Sequence, residues 1–296
     1  MAVTAELIKT LRERTGAGMM DCKKALDASN GDIEAAIDWL REKGIAKAAK
    51  KEGRIAAEGL TAIAVKDNKA SMVEVNVETD FASKNEKFQK LVIDIANTVV
   101  ENGSKDLESS LKAKIDKITV EDAIVQAVSV IGEKITLRRV VTLEKTSQDV
   151  FGTYVHMGGR IGVIVTLKGV NDESVAKDVA MHIAASAPQY LSKQDVDQDY
   201  IDKETHIQLE AAKVDPKLQG KPEEALKNIV KGKVDKSLRE ICLSEQPFVK
   251  DPSVNVAQFV KNHGGEIVEF VRFKVGEGIE KKEDNFAEEV MNQVRK

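Results

Sequence analysis

The residue types that most often carry out chemistry are sparse in this chain and poorly spaced for it. Its four histidines, His156, His182, His206 and His263, show no spacing that would converge on a metal ion. The two cysteines, Cys22 and Cys242, form neither a zinc pattern nor a disulfide framework, and no Gly-x-Ser-x-Gly elbow offers a nucleophile. Carboxylates are abundant but spread as helix-surface charge, so no acid/base pair stands out. A nucleotide-binding loop would need glycines leading into a helix whose N-terminal amides hold phosphate. The nearest run, Gly158-Gly159-Arg160-Ile161-Gly162, leads into a predicted strand and reads as a hairpin turn. The expectation is a protein with no cofactor, no metal and no catalysis of its own.

Composition agrees with that class. At 296 residues the chain exceeds the usual single-domain size, and 42% hydrophobic with 32% charged residues suits folded modules with charged surfaces. Aromatics are only 4%, so the cores must be built from Val, Ile, Leu and Ala. A net charge of −4 argues against a general nucleic-acid binder, and no direct nucleic-acid contact is expected. No apolar run is long enough to cross a bilayer, and the cysteine usage suits a reducing compartment, so the expected location is cytoplasmic.

The elements follow from periodicity and punctuation. Residues 1–44 read as a module of three short helices: Thr4 caps the first, the loop Thr15–Met19 breaks it, Asn30-Gly31 stops the second and Asp32 caps the third. Residues 45–58, rich in Ala and Lys, read as a linker; Lys47, Lys50, Lys51 and Arg54 could touch RNA, but a solvated tether is the favoured reading. From Gly59 the period becomes two. Segments 60–65 and 71–77 read as a hairpin with Val73, Val75 and Val77 on one face and Glu74 and Asn76 on the other. A capping box from Ser83 to Glu86 opens a helix carrying Phe88, Leu91, Val92, Ile95, Ala96 and Val99. A helix near 120–131 and a strand at 135–143 close a core subdomain at 59–145.

The same order recurs at 146–276: strands near 150–156 and 161–168, a helix over 174–187 and a strand at 266–275. A helical hairpin is inserted at about 190–240, broken by Val214–Pro222 and expected to protrude, with Leu226, Ile229, Val230, Val234, Leu238 and Ile241 striping its second helix. A terminal helix within 277–296 carries Phe286, Val290, Met291 and Val294. The fold class is therefore α+β: a three-helix module, two related α+β subdomains, a helical hairpin and a C-terminal helix.

Val77–Phe88 is the most informative segment. Thr79, Asp80 and Phe81 lie where a strand ends and a capped helix begins. Phe81 has two readings from its position alone. It either extends the apolar stripe of the helix into the core, as large aromatics usually do, or it stands exposed at the junction.

Several blocks together resemble the bacterial elongation factor Ts family: Leu11–Leu26, Asn30–Leu40, Val77–Lys84, Ile131–Arg139, Gly159–Val163, Met181–Ser186, Gln246–Ser253 and Arg272–Lys281, in family order along nearly the whole chain. The first forty residues also resemble the ubiquitin-associated three-helix fold. The resemblance implies a guanine-nucleotide exchange factor for elongation factor Tu, gripping its GTPase domain and a second domain. Asp80 and Phe81, with Ala82 and Ser83, would push between helices of the GTPase domain and disturb its Mg²⁺ and phosphate site, so that GDP leaves and GTP replaces it. Further family contacts would fall at Arg12, Met19 and Met20, at Ile131 and Gly132, and at His156. Each has a plainer rival: a Met of the pair as core filler, Gly132 as a helix C-terminus with Ile131 as its last core contact, His156 as turn decoration. The helical hairpin is a candidate dimerisation element. The other classes weighed are a ribosome- or RNA-binding protein using the linker lysines, which steep salt dependence would reveal, and a small-molecule enzyme, which would turn over without a protein partner.

Overall fold

In the computed structural model, residues 3–219 and 221–280 are described. Helices α1 (Ala5–Thr15), α2 (Met19–Ala28) and α3 (Ile33–Ala49) form, and α1 and α3 begin at the expected caps: Leu7 N–H donates to Thr4 and Ala35 N–H to Asp32. Their shared core is small, with Leu11, Cys22, Ala25, Leu26 and Ala36 fully buried. α3 does not stop at Gly44 but continues to Ala49, because the Ala and Lys that follow are strong helix formers. Gly44 survives inside it because α3 crosses the later helix α7 (Val120–Ile131) there. A Cβ on Gly44 would sit 2.9 Å from Ser129 Oγ. Arg41 adds a bidentate pair to Asp122 on α7, at 2.7 and 2.8 Å.

The linker is therefore shorter than 45–58, and it is not a free tether. Lys51 Nζ donates to the Gly132 carbonyl at 2.6 Å, Arg54 pairs with Glu78, and Lys134 Nζ donates to the carbonyls of Glu52 and Arg54. Lys47 pairs with Asp21.

Strands β1 (Glu58–Lys66) and β2 (Lys69–Val77) form the expected antiparallel hairpin, with Leu60 opposite Val75 and Ala62 opposite Val73. A four-residue helix α4 (Asp80–Ser83) precedes α5 (Glu86–Asn102). The Ser83–Glu86 capping box does not form. Asn85 caps α5 by accepting from Lys87 N–H, while the Ser83 hydroxyl donates back to the Asp80 carbonyl. α5 lays Phe88, Leu91, Val92, Ile95, Ala96 and Val99 on β1 and β2, each of these side chains larger than Ala contributing about 1.5–3 kcal/mol when fully buried. Helix α6 (Leu107–Lys112), the short pair β3 (Lys114–Ile115) and β4 (Ile118–Thr119), α7 and strand β5 (Ile135–Glu144) follow, and the sheet order is β1-β2-β5.

The second sheet repeats this plan. Strands β6 (Asp149–His156), β7 (Ile161–Lys168) and β10 (Glu266–Lys274) run in the order β10-β7-β6, so in both sheets the second strand is central. Helix α8 (Glu173–Ser186) packs on β6. The inserted helices α9 (Gln198–Val214) and α10 (Glu223–Ile241) bury Ala212 against Val230, Val234 and Leu238, and strands β8 (Pro247–Phe248) and β9 (Asp251–Asn255) and helix α11 (Val256–Asn262) lead back to β10.

The chain folds as two compact units, and their limits differ from a cut at 146. The second comprises Glu144–His156 and Gly162–Arg272, whereas Met157–Ile161 and Phe273–Glu280 belong to the first. Within the first unit, Thr61 donates to the Gly159 carbonyl at 3.0 Å, Arg160 pairs with Glu58, and Val275 N–H donates to the Arg160 carbonyl. The terminal helix expected around Phe286 to Val294 lies outside the described residues.

Glu74 corrects the two-faced reading of β2. It is fully buried, and Asn76 nearly so. Glu74 accepts from Arg138 at 3.0 Å, from Arg139 at 2.5 Å and from the Gly276 backbone N–H at 2.9 Å. Both faces of β2 are covered, the second by β5 side chains and by the chain beyond Phe273.

His182 is the buried histidine of the second unit. Its Nδ1 accepts from Val249 N–H at 3.2 Å and its Nε2 meets Gln246 Oε1 at 2.9 Å, which requires the neutral ring with the proton on Nε2. Burial lowers its pKa, opposed by the Gln246 contact. The unfolded chain therefore binds a proton that the folded one refuses. Stability should fall as pH drops through the unfolded value of about 6.5 toward the lower folded value, by up to about 1.4 kcal/mol per pH unit. Thermal melts from pH 7.5 to 5 check this. His182→Gln should flatten that slope, and an unchanged slope would remove His182 as its source.

Candidate functional site

Among the described residues no group of three His, Cys, Asp or Glu side chains is placed to hold a metal ion, and no helix is long and apolar enough to cross a membrane. Cys22 and Cys242 are buried, and burial raises both thiols above the ordinary value, which disfavours the nucleophilic thiolate.

What stands out is an exposed aromatic. Phe81 is 82% exposed, the most exposed of the large hydrophobic side chains among the described residues. It sits in the single turn of α4, directly after β2 ends. Thr79 caps that turn: its hydroxyl accepts from Ala82 N–H at 3.2 Å. The same hydroxyl donates to Glu133 Oε1 at 2.7 Å, and Thr79 N–H donates to Glu133 Oε2 at 2.9 Å. On the underside Ala82 and Ser83 are buried, at 7% and 4% exposure, so these two anchor the turn while Phe81 points away from it.

Asp80 accepts from Lys84 Nζ at 2.8 Å, and Lys84 also lies over the Phe81 ring, 5.9 Å from its centroid. The Lys84 hydrogen bond holds the Asp80 carboxyl below its ordinary pKa, against desolvation, with the charges of Lys84 and Arg160 acting in the same direction as the bond. The tip of the turn thus presents an apolar ring flanked by an anion and a cation.

The remaining candidates divide. Met19 and Met20 are both exposed, at 60% and 63%, so neither fills the core of the N-terminal module; Arg12 is exposed as well. They flank the turn at Gly16, where a side chain would begin 3.5 Å from Lys87 Nζ near the start of α5. Ile131 is partly buried against the core of the first unit. Gly132 ends α7 at φ 87°, a left-handed conformation that favours glycine, with open space where a side chain would stand. His156 ends β6, half-buried, with Nδ1 3.2 Å from the Tyr154 hydroxyl.

Two groups that bear on the site escaped the sequence reading. Glu133 and Glu78 bind the junction from below, Glu78 accepting from Lys134 N–H at 2.6 Å and from Arg54. Glu133 lies within the block Ile131–Arg139, but nothing local marks a carboxylate that pairs 54 residues away.

Fold and site together describe an α+β protein that displays an exposed aromatic, Phe81, on a capped turn. Residues 78–277 match the family described as Elongation factor TS. That span is more than half of the chain and includes the Phe81 turn, β5, the second sheet and the helical hairpin. The chain belongs to the elongation factor Ts family, the nucleotide-exchange factors of translation elongation.

Proposed function

We propose that this chain accelerates GDP release from elongation factor Tu by driving Phe81 and Asp80 into the GTPase domain, where they disturb the Mg²⁺ and phosphate site. The observation that carries the reading is the exposure of Phe81 on a capped turn. A large apolar ring left in water on an otherwise well-packed unit is a group awaiting a partner. Ala82 and Ser83 serve as the floor of the turn. Asp80 remains ionised near neutral pH and exchanges its contact with Lys84 for one on the partner.

One side chain is too little for exchange. Weakening GDP about a thousandfold takes roughly 4 kcal/mol of differential binding, while burying one Phe supplies about 1.5–3. The exposed Met19, Met20 and Arg12 extend the grip, as do Ile131, Gly132 and His156. The RNA-tether alternative is weakened because Lys47, Lys51 and Arg54 are engaged within the protein.

The test is release of a fluorescent GDP analogue from purified elongation factor Tu. Wild type should accelerate release, and the doubly substituted Asp80→Ala/Phe81→Ala protein, folded by circular dichroism, should not. Absence of acceleration by folded wild type sinks the proposal.

A further inference from the structure

The one-turn helix that displays Phe81 cannot hold its own direction. Four residues are far below the length at which a helix is stable in water, so the orientation of α4 depends on what its ends are tied to. At the N-terminal end the tie is Glu133. Its two carboxylate oxygens take both donors of Thr79, the backbone N–H at 2.9 Å and the hydroxyl at 2.7 Å, and that hydroxyl in turn accepts from Ala82 N–H at 3.2 Å.

Glu133 is itself held from both sides. The carbonyl before it, on Gly132, accepts from Lys51 Nζ at 2.6 Å. The N–H after it, on Lys134, donates to Glu78 at 2.6 Å, and Glu78 also receives Arg54. Glu133, half-buried and two-pronged, therefore links the turn after α7 to the base of α4.

We infer that Glu133 is a positioning residue for nucleotide exchange, acting through Thr79 to hold Phe81 in the direction it must have when it meets the GTPase. This deepens the function proposed above and rests on it. A bound partner that found α4 loose would have to order it first, and preorganisation removes that cost from the productive step. The consequence belongs to the exchange step and to Phe81 in particular, while the exposed contacts elsewhere on the surface keep the affinity.

The experiment titrates full-length protein against elongation factor Tu loaded with fluorescent GDP and reads the saturating release rate separately from the half-saturating concentration. Glu133→Ala should lower the saturating rate about tenfold and move half-saturation less than about threefold. Glu133→Gln keeps one acceptor oxygen and should recover part of the rate. In a Phe81→Ala background Glu133→Ala should have no further effect, a non-additivity that a general loss of folding would not produce. Amide hydrogen exchange at residues 80–83 should rise in Glu133→Ala. An unchanged rate, or an equal loss with and without Phe81, overturns the inference while leaving the proposed function intact. A wild-type protein that releases no GDP overturns both.

Discussion

Phe81→Ala should leave the thermal midpoint of the protein within a degree or two of wild type and cut stimulated GDP release by about ten- to a hundredfold. The two halves of that expectation come from one observation, the 82% exposure of the ring. A side chain already in water contributes no burial to folding, so truncating it opens no cavity. The loss appears only where the ring is buried, on the partner, and full burial of a Phe corresponds to about 1.5–3 kcal/mol. The cation over the ring adds little at an exposed site, about 0.5–1 kcal/mol. Matched melts and release rates decide the matter. A large drop in stability accompanying the loss of rate would mean that Phe81 supports the fold.

Glu74 should show the opposite pattern. It is fully buried and holds Arg138, Arg139 and the Gly276 N–H together. The same arginines carry the chain beyond β10: Arg138 donates to the Glu277 carbonyl, and Arg139 donates to the Lys274 carbonyl and lies 4.3 Å from the centroid of Phe273. Glu74→Ala leaves two part-buried guanidinium groups and a backbone N–H without their acceptor. Removing one partner of a fully buried pair costs about 3–5 kcal/mol; because these arginines are about a quarter exposed, about 2–4 is expected. In a unit of this size that lowers the midpoint by roughly 5–15 °C. Trypsin should also cut sooner at Lys274, because the clamp on that segment is gone. An unchanged midpoint together with unchanged cleavage would mean the clamp contributes nothing.

These two residues mark where the sequence stops being legible. Phe81 and Glu74 lie seven residues apart, one apolar and one charged, and their burial is the reverse of what their types suggest. No local rule gives that. Glu74 is buried because acceptors are needed at a place reached by residues 64, 65 and 202 positions further along the chain. Phe81 is exposed because Thr79 and Glu133 turn α4 outward and Ala82 and Ser83 take the inner side. The basic residues of the tether tell the same story: as a composition they read as solvated charge, but Gly132 for Lys51 and Glu78 for Arg54 are partners supplied by folding.

The sequence by itself determined the elements and the family. Helix caps at Thr4 and Asp32, the β1–β2 hairpin, the apolar stripe of α5 and the doubled order of hairpin then helix are all set by residues within one or two turns of each other, where periodicity and capping act. Tertiary structure decided which side chains those elements spend on the core and which they leave to water. It also placed Glu133 under the Phe81 turn and laid α3 against α7 at Gly44. The physical reason is range: hydrogen-bonded caps and amphipathic periods are local, whereas burial and ion pairing depend on whichever distant segment arrives alongside.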